Sequence, residues 1–301
     1  MILSVAELKN SDLRMGGVQV KSQYAPPSKS LYRFFSSDTD YFRDTIEHLV
    51  CKNEIYLSSR QTFNDPYDMN PLLKSDWTTH AIREHMKAIA ANPSRSSAEF
   101  ELVTAFLRTG GTAPREALST QNIRRLKESF PKYMLGLLNK IGVCCFTEEM
   151  QNPLFWAHYA HKYTGVCIEL LATADSTHPF YNCTKVHYSE HRPVIFASQT
   201  GAFGTVYKDS DWDYIAQFGL CTKSIDWSVE KEWRFWLPNQ ANKYQSLPPR
   251  TLRSIFLGPL ADDKTKDFVI RTAKSTAGDL KVFNTALSKT DFRVIISRRI
   301  F

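Results

Sequence analysis

The alternation of apolar and polar positions is clearest between Trp227 and Trp236, Trp-Ser-Val-Glu-Lys-Glu-Trp-Arg-Phe-Trp. Successive side chains of a strand point to opposite faces. A strand here puts Trp227, Val229, Lys231, Trp233 and Phe235 on one face, and Ser228, Glu230, Glu232, Arg234 and Trp236 on the other. The first face is mostly apolar and is expected to be buried. The second carries two carboxylates and a guanidinium along roughly 13 Å of chain, at about 3.3 Å per residue. Such a row must face water, pair internally or serve a cleft, because burying charge costs free energy. The flanking tryptophans favour the cleft.

The same period-two signal, with aromatic and β-branched residues, predicts strands at Leu31–Phe35, Glu54–Ser58, Gly142–Thr147, Val166–Leu171, Thr184–Tyr188, Ser254–Leu257, Lys281–Phe283 and Phe292–Ile296. Helical spacing predicts helices from Tyr41 to about Val50, from Pro153 to Lys162, from Asp211 to Leu220 and from Asp262 to Thr276, with Asp38 or Thr39 capping the first. Gly165 ends the second of these. Between Trp77 and Lys140 the period becomes 3.6. Ile82, Met86 and Ile89 form one stripe, Phe100, Val103 and Leu107 a second, and Ile123, Leu126, Phe130, Met134, Leu137 and Leu138 a third. Pro131 is expected to kink the third helix or mark its restart. Residues 190–210 are mixed and are expected to contain a loop, and Pro238 to Arg250 reads as a loop. The class that results is α+β, a mixed or antiparallel sheet core with a helical insertion. Its expected organisation is an N-terminal arm over 1–30, a core of 31–74 plus 141–301, and the insertion over 75–140. Neither a G-x-G-x-x-G nor a P-loop is present, which argues against a doubly wound nucleotide fold.

Composition narrows the function classes only slightly. In 301 residues the hydrophobic share is 43 % and the charged share 23 %, ordinary for a globular chain with a large core. The net charge of +7 permits a nucleic acid or another polyanion as partner, but the excess is spread along the chain. None of the six cysteines forms a C-x-x-C pair, so a zinc knuckle is not expected, and a reducing cytoplasm fits them. No signal peptide and no apolar run of about 18 residues is present, so no membrane association is expected.

Several short segments carry candidate chemistry. Phe63-Asn-Asp-Pro-Tyr-Asp68 is a strong turn, in which Asn64 and Asp65 can bond nearby amides; with Asp68 it could also shape a binding loop. Trp156 and Tyr159 are three apart and share a helix face, as core aromatics or as stacking platforms. His158 and His161 have metal-compatible spacing, but no third ligand is evident and no metal is expected. Arg33 sits on an aromatic strand and has Glu230 or Glu232 as natural carboxylate partners.

The order of these segments resembles a widespread bacterial family of uncharacterised proteins. It runs Leu31-Tyr32-Arg33-Phe34, then Phe63 to Asp68, then Cys145-Phe146-Thr147, then Leu154-Phe-Trp-Ala-His-Tyr-Ala160, then Trp227-x-x-Glu-x-Glu-Trp-Arg234. That resemblance implies no activity. A second, weaker resemblance is to the ADP-ribosyltransferase fold. Those enzymes carry an Arg or His on an early strand, a Ser or Tyr on a middle strand, and a Glu on a late strand, often as E-x-E. Here Arg33, Ser58 with Ser59, and Glu230-Lys-Glu232 fall in that order, although the middle motif reads Leu-Ser-Ser. The resemblance implies NAD as substrate, with Glu232, Glu230 and Arg33 catalytic. Together with the segments above, the candidate binding residues are Tyr32, Ser58, Ser59, Asn64, Asp65, Asp68, Trp156, Tyr159 and Arg234. A glutamate would oppose the cation that forms on the ribose as nicotinamide leaves. The expected activity is therefore ADP-ribosyl transfer or NAD cleavage, in a toxin or defence effector acting on nucleic acid or protein. A nucleic-acid-binding or nuclease-like protein and a non-enzymatic sensor or interaction module stay open. The sequence does not fix the oligomeric state.

Overall fold

A computed structural model describes residues 29–78, 80, 120–173, 178, 180, 183–199, 214–276 and 280–301. In chain order they form β1 (Lys29–Phe35), α1 (Phe42–Cys51), β2 (Glu54–Leu57), β3 (Leu72–Lys74), α2 (Thr120–Lys140), β4 (Gly142–Thr147), α3 (Pro153–His158), β5 (Val166–Ala172) and β6 (Thr184–Lys185). There follow β7 (His187–Ser189), β8 (Val194–Phe196), β9 (Thr222–Ser224), β10 (Glu232–Leu237), β11 (Lys243–Ser246), β12 (Leu252–Leu257), α4 (Asp263–Lys274), β13 (Lys281–Leu287) and β14 (Val294–Arg299). The fold is α+β. Among the described residues no helix is long and apolar enough to cross a membrane.

The chain divides into two compact units, and the larger takes the described parts of 21–62, 140–188 and 225–301. Its centre is an eight-stranded mixed sheet in the order β14-β13-β12-β5-β1-β4-β10-β6. Within it β12 and β13 are parallel, joined through α4, and the other neighbours are antiparallel. The alternation seen in sequence gives each face a different task. Leu31, Ile168, Leu170, Phe235, Ile255, Leu257 and Val282 pack with Ile46 and Leu49 of α1 and Phe268 and Val269 of α4. Burying each such side chain contributes roughly 1.5–3 kcal/mol, which makes this face the main core. The opposite face carries a smaller cluster, in which Trp156 of α3 packs with Cys167 and Phe256, and Phe34 meets the indole edge-on at 5.0 Å. Trp156 is fully buried and its Nε1 donates to Met150 O, so it is a core residue.

Local signals explain most of the helices. Asn152 caps α3 by accepting from Leu154 N, and Asp262 caps α4 by accepting from Thr265 N at 2.8 Å. In α1 the expected cap by Asp38 or Thr39 does not form. Tyr41 is the cap residue without a side-chain bond, and Asp38 instead meets Ser36 and His161 Nδ1. After α3 the chain passes through three consecutive left-handed residues, His161, Lys162 and Tyr163, with φ of 43°, 52° and 72°. Each costs roughly 1–2 kcal/mol. Bonds from Lys162 N to Ala157 O, Tyr163 N to Trp156 O and Gly165 N to Ala160 O hold the turn. Gly165 and Gly258 allow it to be packed, since a Cβ on Gly165 would overlap Phe35 O and one on Gly258 would overlap Tyr163 O.

The smaller unit takes the described parts of 63–139 and 189–224. Here β3 and β8 pair in parallel, with β8 inside the mixed stretch 190–210, part of which was expected to be loop. β11, which pairs with β2 in the larger unit, likewise falls where a loop was expected. Of the three expected helices between Trp77 and Lys140, only α2 lies among the described residues. It runs unbroken through Pro131 instead of restarting there. The expected helix Asp211–Leu220 is described from Tyr214, and its Ala216–Leu220 part is a π-helix.

Candidate active site

The stretch that looked like one strand is two elements. Ile225–Glu230 is a 3₁₀ helix, Lys231 turns the chain at φ 44°, and β10 begins at Glu232. The alternation therefore holds only from Glu232 onward. Trp233 and Phe235 join the main core, and Glu232 and Arg234 share the other face, as the spacing required. Val229 is exposed and Lys231 pairs with Glu149, so neither belongs to the buried face expected for them.

Register places Glu232 in a row. Residues directly opposite each other in paired strands point to the same face. Glu169 of β5 faces Tyr32 of β1, Tyr32 faces Thr147 of β4, and Thr147 faces Glu232 of β10. The row is thus carboxylate, phenol, hydroxyl, carboxylate across four adjacent strands. At one end Ser30 Oγ donates to Glu169. Burial, with Glu169 and Cys167 adding to it, raises the Tyr32 hydroxyl above its ordinary range, so Tyr32 keeps its proton at neutral pH. Thr147 Oγ1 donates to Glu230 O at 2.7 Å and accepts from Glu149 N at 3.1 Å. One hydroxyl so fixes both the end of the 3₁₀ helix that precedes β10 and the loop after β4.

Arg234 holds the far end. Its Nε donates to Glu232 Oε1 at 2.6 Å and its Nη2 to Oε2 at 3.0 Å. Such a two-point contact fixes both planes and is the geometry at which arginine excels. Glu232 also donates its backbone N–H to Tyr188 Oη and accepts Val186 N–H on its carbonyl. Glu230 is buried, and Tyr159 Oη donates to its Oε1 at 2.5 Å. Tyr159 therefore faces the acidic pair, not only the core.

Three of the expected residues are elsewhere. Arg33 lies opposite Ile168, on the face covered by α1 and α4, so it cannot meet Glu230 or Glu232. Its Nη1 donates to Cys144 Sγ, and its guanidinium stands 5.4 Å from the centre of the Phe35 ring. Burial pushes the Cys144 thiol up to about 11, with Arg33 pulling the other way. Ser58 and Ser59 follow β2, outside the eight-stranded sheet. Ser58 bridges Val143 at the start of β4, four residues and about 13 Å from Thr147. Ser59 is buried and its amide donates to Asn242 Oδ1.

Asn64, Asp65 and Asp68 belong to the smaller unit. Asp65 accepts from Tyr67 N at 2.8 Å, as the turn chemistry implied, while Asn64 is exposed. Asp68 is buried with Lys223 Nζ 3.6 Å from its Oδ2. His158 is exposed and His161 contacts Asp38.

Beside the row a cleft of about 600 Å³ opens between Tyr32, the Glu148–Pro153 loop and the β13–β14 hairpin, where Phe292, Arg293 and Ile296 line it. Glu148 accepts from Trp233 Nε1 at 2.6 Å and has Lys185 Nζ at 3.5 Å; Glu149 pairs with Lys231. Sequence reasoning missed Thr147, Glu148, Phe292 and Arg293 as site residues. Thr147 was visible as the end of a strand, but its place between Tyr32 and Glu232 depends on register. Phe292 was expected inside a strand; β14 begins only at Val294.

Residues 155–235 match the model of a family described as "Protein of unknown function (DUF2971)". The match begins inside α3 and ends inside β10, so it includes Tyr159, Glu230, Glu232 and Arg234. No curated protein and no solved structure matches the chain.

Proposed function

We propose that this chain cleaves NAD at the bond between nicotinamide and ribose, transferring ADP-ribose to water or to a nucleophile on a target. The observation that carries the reading is the cross-strand row Tyr32–Thr147–Glu232 on three adjacent strands. It supplies an early-strand donor, a middle-strand hydroxyl and a late-strand glutamate on one face, the order of groups that an ADP-ribosyltransferase uses. Tyr32 takes the place expected for Arg33, and Thr147 that expected for Ser58 and Ser59.

In this chemistry the C–N bond breaks with its electron pair leaving on nicotinamide, and the ribose becomes an oxocarbenium-like cation. Glu232, oriented by Arg234, opposes that cation. A fixed electrostatic partner of this kind is worth about 10²–10³ in rate. The incoming oxygen then bonds to the ribose carbon and releases its proton. Tyr32, which retains its proton, donates a hydrogen bond to the substrate. Thr147 holds the backbone on both sides of the reacting groups. Glu232 is only 4 % exposed, so its surroundings already keep bulk water from the carboxylate.

The experiment is incubation of the full chain with NAD and separation of the products by chromatography. Nicotinamide and ADP-ribose in equal amounts support hydrolysis. Nicotinamide with ADP-ribose retained on an added protein or nucleic acid supports transfer. Intact NAD under both conditions contradicts the reading.

A further inference from the structure

We infer that the cleft between Tyr32 and the β13–β14 hairpin is a seat for an adenine nucleotide diphosphate, with Arg293 on the phosphates and the Phe292 ring against the base. The inference rests on the NAD reading and deepens it by naming where the non-reacting half of the substrate lies. The cleft's volume of about 600 Å³ falls inside the range of ligand sites.

Its chemistry is divided. Glu148 and Glu149 on one wall are already engaged, by Trp233 and Lys185 and by Lys231. Arg293 on the other wall is exposed, and its backbone alone enters the hairpin's hydrogen bonds, its N–H to Asp291 O and its carbonyl from Ser288 N. A guanidinium left over on a cleft wall suits a diphosphate, because its planar fork matches two phosphate oxygens.

Phe292 is 97 % exposed, next to Arg293 and two residues before the buried Val294. An aromatic ring held wholly in water gives up the stabilisation that burial would bring. It is also a flat surface on which any base can stack. The hairpin that presents both residues is fastened internally by Asp291 N and Thr290 N on Ser288 Oγ. It is fastened to the opposite wall by Val294 N on Gln151 O at 3.0 Å. Both walls are therefore positioned before a ligand arrives, which limits the entropy lost on binding.

The test is calorimetric titration of the full chain with ADP-ribose, for the wild type, Arg293→Ala, Arg293→Lys, Phe292→Ala and the control Arg299→Ala. The expected result is binding by the wild type and by Arg299→Ala. Arg293→Ala should weaken it tenfold or more, Phe292→Ala severalfold, and Arg293→Lys less than Arg293→Ala. Binding that all variants retain, or no binding of ADP-ribose by the wild type, overturns the seat. Nicotinamide release measured on the same variants separates the two claims. Turnover with an unchanged KM in Arg293→Ala overturns the seat and leaves NAD cleavage standing. Binding that depends on Arg293 with no turnover of NAD supports the seat and ends the cleavage reading.

Discussion

Arg234 grips Glu232 at two points, and both side chains are shut away from water, the guanidinium completely. Removing one partner from such a buried pair leaves the other charge without its main compensation. Arg234→Leu is therefore expected to destabilise the fold by about 3–5 kcal/mol. The double variant Glu232→Leu with Arg234→Leu should be more stable than Arg234→Leu alone, because neither charge is then buried. Chemical denaturation of both variants checks this. A double variant no better than the single would show that the grip does not govern stability here.

Tyr159 to Glu230 is a further polar link beside Glu232. Tyr159→Phe keeps the ring's packing against Phe155 and removes only the donor to the buried carboxylate. A loss of about 1–3 kcal/mol is expected, the cost of leaving a buried acceptor one bond short. Thermal unfolding measures it, and an unchanged melting temperature would contradict the assignment.

Much of this arrangement was legible from residue spacing alone, and some was not. That Glu232 and Arg234 share a face follows from their separation by two, and the helices beginning near Pro153 and Asp262 follow from their apolar spacing. The start of β10 was not legible, because a 3₁₀ helix over Ile225–Glu230 and a left-handed Lys231 leave no period-two signature. Arg33 was misplaced for another reason. It is adjacent to Tyr32, and a one-residue choice on a strand selects the opposite face. Tertiary packing made that choice, by putting Leu31 and Phe35 against α1 and α4. The Tyr32–Thr147–Glu232 row depends on the pairing of residues 115 and 85 positions apart in the chain, which no local pattern encodes.

Gly258 tests the packing of the left-handed turn at His161–Tyr163. A methyl group there would overlap Tyr163 O, and backbone cannot yield as a flexible side chain can. Gly258→Ala is expected to cost about 1–3 kcal/mol, the usual range for forcing extra atoms into a filled site. Denaturant midpoints of the variant and wild type decide it. Equal midpoints would mean that the turn is free to shift.

Alkaline pH should weaken the larger unit, with Cys144 and Tyr244 contributing alongside the likewise raised Tyr32 and Cys167. Burial moves the Cys144 thiol from 9.0 up to about 11, and burial with the Asp44 hydrogen bond moves the Tyr244 hydroxyl from 10.0 up to about 12. Both folded-state values lie above the unfolded ones, so the folded chain holds these protons more tightly. The stability they contribute is complete below pH 9 and is lost as pH rises through 11 and then 12. Melting temperature followed over that window should fall, and Tyr244→Phe should flatten the upper part. A flat wild-type profile would contradict both assignments.

The most direct test of the central claim is the rate of nicotinamide release from NAD by the wild type, Glu232→Gln and Tyr32→Phe, each confirmed as folded by circular dichroism at the assay temperature. Glu232→Gln keeps the side chain's shape and removes the charge that opposes the ribose cation, so its rate should fall by about 10²–10³. Tyr32→Phe removes one hydrogen-bond donor at the edge of the cleft and should lower the rate with little change in melting temperature. Undiminished release in a folded Glu232→Gln, or no release by the wild type, would contradict the account and leave the Glu232–Arg234 pair as a device that holds β10 in the sheet.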